Sequence, residues 1–117
     1  MDKKIKTEHF ENLVAVAYAD KHITEEEINF LAENALNFGL LKEDVQKVID
    51  NAEHLKFFIP KNHEEREEQL ISCIHMAMTD GEVHEKEYAL CLQIAERLDF
   101  TERYLNEIIE LSQKLNR

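Results

Sequence analysis

Two short acidic segments carry the side chains of this sequence best suited to chemistry. The first reads Ala19-Asp20-Lys21-His22-Ile23-Thr24-Glu25-Glu26-Glu27 and the second Thr79-Asp80-Gly81-Glu82-Val83-His84-Glu85-Lys86-Glu87. They share a frame: an Asp, an apolar residue three positions later, and Glu at five and seven positions later. Carboxylates brought close repel one another unless one is protonated or a cation bridges them. Oxygen ligands of this kind suit Ca²⁺, Mg²⁺ or Mn²⁺, and an imidazole in the set shifts the preference toward Zn²⁺ or Mn²⁺. The candidate metal ligands are therefore Asp20, Glu27, Asp80, Glu87 and His84. The same residues have a purely structural use. In the first turn of a helix an acid meets the helix dipole, a gain of about 0.3–1 kcal/mol. An Asp can close the preceding turn with its own side chain, and His84 stands where an N-cap would. An EF-hand is disfavoured, because its first ligand positions would fall on Val16 and Tyr18, or on Met76 and Met78, none of which coordinates Ca²⁺.

Other chemistry finds little support. No histidine has a Glu three residues before it, so zincin and ferritin-like metal patterns are absent. The only serines, Ser72 and Ser112, fall inside expected helices. Cys73 and Cys91 are not in a CxxC arrangement and read as reduced core thiols. His9, His54 and His63 fall on expected exposed or linking segments, while His75 interrupts an apolar helix and is expected in the core or at an interface. The residues point away from an enzyme. No catalytic residue and no cofactor other than a divalent cation is expected.

The elements that position the two acidic segments follow from composition and periodicity. With two glycines and one proline in 117 residues, the chain lacks the turn residues of a many-stranded fold. The expected fold is all-α: a single compact domain over residues 1–117, built of two pseudo-symmetric three-helix repeats with about six to seven helices in all. The repeats are residues 10–51 and 70–111, related by an ungapped offset of 60. Ala17 falls on Ala77, Asp20 on Asp80, Glu25 on Glu85, Glu27 on Glu87, Ala35 on Ala95 and Ile49 on Ile109. The spacing of Phe10, Leu13, Val14 and Ala17 predicts a helix over 8–19, and that of Leu70, Cys73, Ile74 and Ala77 one over 64–79. Thr24 with Glu27 forms a capping box that starts the second helix, and Gly39 stops it. Further helices are expected to begin near Lys42, near Glu85 and after Thr101. The connection over 55–63 is expected to tuck Leu55, Phe57, Phe58 and Ile59 inward.

The charge is −11, from 25 acidic and 14 basic side chains. Such a surface repels nucleic acid and anionic lipid. No apolar stretch approaches the roughly 20 residues of a membrane span, and no signal segment is evident, so the cytoplasm is the expected compartment. An acidic decoy for a basic partner would need its charge gathered on one side. Residues 1–60 carry 12 acids and 7 bases against 13 and 7 over 61–117, so the excess is not polarised along the chain.

The duplicated segments, Ala19-Asp20-x-x-Ile23-x-x-x-Glu27 and Asp80-Gly81-x-Val83-x-x-x-Glu87, each follow an apolar helix and open another. In this the chain resembles the TerB-like family, which includes bacterial tellurite-resistance TerB proteins and the related domain of DjlA-type co-chaperones. The resemblance covers about residues 8–116. It implies an all-helical fold, a bacterial cytoplasmic or membrane-peripheral setting and a role in tellurite or other stress responses. It also implies a divalent cation on the acidic motif, where Asp20, Glu27, Asp80 and Glu87 match. Lys21 departs from the glycine the family prefers. The resulting expectation is a non-enzymatic stress-response interaction module with an unidentified protein partner. A metal-dependent enzyme using the same carboxylates and the acidic decoy are the alternatives.

Overall fold

Helix α1, Lys3–Ala19, is set by an apolar stripe that widens until it covers most of the helix. Phe10, Leu13, Val14, Val16 and Ala17 are buried, with His9 and Asn12 among them. The helix begins five residues before the expected start at Glu8. The additional turns carry Lys6, whose ammonium donates to the Phe38 carbonyl at 3.2 Å and lies 5.1 Å from the centre of the Phe38 ring. That cation stands at the carbonyl end of the next helix, where the helix dipole favours it. The computed structural model describes residues 3–19, 24–77 and 85–115, and all regular structure among them is helical.

Helix α2, Glu25–Asn37, starts on Thr24, whose hydroxyl accepts from the Glu27 amide at 3.1 Å. It ends with Gly39 in the left-handed region at φ 110°, with Gly39 N–H donating to Leu36 and Leu40 N–H to Ala35. Those two bonds are a Schellman closure of the helix. Helix α3, Lys42–Asp50, and a 3₁₀ turn, Ala52–His54, complete the first half.

Helix α4, His63–Ala77, is capped by Asn62, whose side chain accepts from the Glu64 amide at 2.7 Å. Helix α5, Glu85–Arg97, closes as α2 does: Asp99 N–H donates to Glu96 and Phe100 N–H to Ala95, with Asp99 at φ 68°. Helix α6, Glu102–Leu115, is capped by Thr101, which accepts from the Tyr104 amide at 3.1 Å. Thus α2 and α5 begin at Glu25 and Glu85, and α3 and α6 at Lys42 and Glu102, each pair 60 residues apart.

The chain divides into two compact units, Met1–Phe58 and Ile59–Arg117. In the first, α1 and α2 both pack on α3, and α1 also packs on the 3₁₀ turn. In the second, α4, α5 and α6 pack pairwise. Each core rests on fully buried side chains such as Phe10 and Leu13, or Leu70, Ile74 and Ile94, each contributing about 1.5–3 kcal/mol of burial.

The connection after the 3₁₀ turn corrects one expectation. Phe58 and Ile59 are 66% and 50% exposed rather than tucked inward, while Leu55 and Phe57 are half-buried. The reason lies in buried Asn12. Its amide donates to the Phe58 carbonyl at 2.8 Å and its carbonyl accepts from the Phe58 amide at 2.9 Å. The backbone is the part held against α1, and the ring is left outside.

Candidate functional site

The five expected metal ligands divide by what the structure describes. Glu27 and Glu87 stand in the first turns of α2 and α5 at corresponding places, both half-buried. Asp20, Asp80 and His84 lie outside the described residues. Glu27 also takes part in the cap itself, since the Thr24 hydroxyl lies 3.3 Å from its Oε1 and can donate to it. Glu87 faces Cys91 one turn on, and its charge adds to burial in pushing that thiol up to about 12. Among the described residues, no three His, Cys, Asp or Glu side chains gather closely enough to hold a metal ion.

Two thiols behave as read. Cys73 and Cys91 are free and buried, and burial holds the Cys73 thiol well above its ordinary value. Neither can present a thiolate near neutral pH. His54 and His63 are exposed as expected, whereas His9, expected on an exposed or linking segment, is buried. His75, expected in the core or at an interface, lies outside the core. His9 shares a helical face with Leu13 and Val16, and burial lowers its imidazole to about 4. His75 lies on the same stripe as Glu67 and Ile71, one turn apart each, which turns away from the buried Leu70, Ile74 and Ala77.

That outward stripe borders a feature the motifs do not announce. Between α4 and α6 runs an open groove of about 380 Å³. Ile71, Ile108 and Leu111 give it an apolar lining, and Glu67, Glu107 and His75 are its titratable groups. At one end the Tyr104 hydroxyl donates to Glu67 Oε2. Burial, then the bonded and neighbouring carboxylates, push the Tyr104 phenol up to about 12. The Tyr104 ring stacks on Phe100 at 4.9 Å, and His63 meets Phe100 edge-on at 5.6 Å. Its sequence signal was the breadth of the apolar pattern on α6. Leu105, Ile108, Ile109 and Leu111 cover more of the helix than one packed face requires. Ile108 is half-buried, and Leu111 is 59% exposed.

A second cleft, about 340 Å³, lies between the first turns of α1 and the start of α3. Its lining mixes Lys3 and Lys4 with Glu8, Glu11 and Asp44. Burial, then Glu8, raises the Glu11 carboxyl. Among the described residues no helix is long and apolar enough to cross a membrane. No protein-family model matches this chain, and no curated protein or solved structure matches it either.

Proposed function

We propose that this chain is a non-enzymatic, TerB-like interaction module of a bacterial stress response, of the kind that serves tellurite resistance. In this reading it works in the cytoplasm or at the membrane periphery, and its acidic helix-start loops take a divalent cation. One observation carries the reading. Glu27 and Glu87 occupy matching first-turn positions on two helices of equal length, each preceded in sequence by an Asp seven residues earlier. A helix start supplies unpaired amides and a positive dipole end, which attract such carboxylates. In each loop the Glu and the Asp seven residues before it offer hard oxygen ligands, and a cation relieves their repulsion. His84 would tilt the choice toward Zn²⁺ or Mn²⁺. Duplication of one three-helix unit accounts for the offset of 60 between helix starts.

Calorimetric titration of chelator-stripped protein with Mn²⁺, Mg²⁺, Ca²⁺ and Zn²⁺ tests the reading. Saturable heat is expected with at least one cation, and its loss in a Glu27→Gln, Glu87→Gln variant that keeps its helical circular dichroism. Heat that survives those substitutions, or no heat with any cation, would remove the loops as the site.

A further inference from the structure

We infer that the groove between α4 and α6 is a docking surface for a basic amphipathic helix of a partner protein. The inference builds on the reading of the chain as an interaction module and does not depend on the cation.

The groove has the dimensions and lining of a helix-binding slot. On α4 its wall is the stripe Glu67, Ile71 and His75. Eight residues of helix separate the ends of that stripe, a length of about 12 Å or two turns. On α6 the facing wall is Tyr104, Glu107, Ile108 and Leu111. An amphipathic helix lying in such a slot presents apolar anchors at intervals of three, four and seven residues, which matches two turns. Leu111 is the principal unsatisfied contact. It is 59% exposed beside half-buried Ile71 and Ile108, so a leucine-sized anchor placed there removes apolar surface from all three.

Charge selects the occupant. The α4 and α6 sequences carry seven acids against three Lys and Arg. Glu67 and Glu107 line the groove, and His75 is the sole basic side chain among the lining residues. Two of the α6 acids have exposed partners on their own helix, Arg103 to Glu107 at 3.5 Å and Lys114 to Glu110 at 3.5 Å. Exposed pairs of this kind are weak, so an incoming lysine or arginine can compete for the carboxylate. Tyr104 fixes Glu67 in place by its hydrogen bond, which holds one carboxylate at the groove end. The overall charge of −11 steers a basic partner toward the chain from a distance.

The test is fluorescence anisotropy of the full chain with a fluorescein-labelled 14-residue peptide of leucine and lysine, its leucines at helical spacing. The control is a scrambled isomer of equal charge with no apolar face. Saturable binding is expected, at least tenfold weaker for the isomer and for Leu111→Asp, and about threefold weaker for Glu107→Gln. Leu111 is exposed, so its substitution opens no core. Equal affinity for both peptides, or an affinity unchanged by Leu111→Asp, overturns the proposal. So does a dimer of this chain that Leu111→Asp dissociates, because the groove then belongs to a second copy. The Glu27→Gln, Glu87→Gln variant separates this proposal from the cation reading, since it should lose cation heat and keep peptide affinity.

Discussion

His9 converts the packing of α1 into a measurable pH dependence. It is 6% exposed, and burial lowers its imidazole from 6.5 to about 4. The unfolded chain binds a proton there near pH 6.5, while the folded chain resists it until about pH 4. Within that window the unfolded state holds more protons, so stability falls as pH falls, by up to about 1.4 kcal/mol per pH unit. From pH 7.5 to 4.5 the loss is about 2.5 kcal/mol. The substitution to make is His9→Gln. Gln69 holds the corresponding position on α4, 1% exposed, so an amide of that size fits the place in a buried helix. Urea unfolding followed at 222 nm gives stability at pH 7.5, 6.5, 5.5 and 4.5. Carboxylates, including the raised Glu11, contribute alike to both proteins and cancel in the difference. The advantage of the native protein over the variant should decline by about 2.5 kcal/mol across the series. Parallel pH curves would refute a neutral, buried His9.

Two other perturbations follow from the caps and the clamp. Gly39→Ala should lower stability by about 1–2 kcal/mol, because φ 110° is strained for a side chain and the new Cβ would meet Lys6 Nζ at 3.0 Å. Asp99→Gly, at φ 68°, should do the reverse by about 0.5–1 kcal/mol, relieving both the left-handed strain and an acid at the negative end of α5; thermal melts read both signs. Asn12→Ala should cost about 2–3 kcal/mol in urea unfolding, since it strips both hydrogen bonds from the Phe58 backbone.

How much of this was legible depended on whether the signal was local. Thr24, Thr101 and Gly39 mark helix ends through their own side chains or their own backbone freedom, and they stand where the sequence put them. Asp99 does the work of Gly39 without its chemistry, and only the offset of 60 would have suggested a left-handed residue there. The early start of α1 rests on Lys6 reaching Phe38, a contact 32 residues apart in sequence that no local pattern encodes. Phe58 looked like core because it is aromatic; the partner that decides its orientation is Asn12, 46 residues away. His9 is buried and His75 lies outside the core for a related reason. A polar residue within an apolar run is placed by helical phase, and the phase of 67, 71 and 75 points away from the packed face. Of the candidate site, sequence located the carboxylates, and the structure gives the positions of Glu27 and Glu87 alone among the five.

The most direct test of the central claim is the melting temperature of the chain in chelator and then in Ca²⁺, Mg²⁺, Mn²⁺ and Zn²⁺. A ligand of the native state present at a hundred times its Kd stabilises by about 2.7 kcal/mol, which for a chain of this size is a rise of about 10 °C. The account predicts such a rise with at least one cation, and its disappearance in the Asp80→Asn, Glu87→Gln variant. A melting temperature unmoved by every cation, or a rise that the variant retains, would contradict it and leave the acidic segments as helix caps.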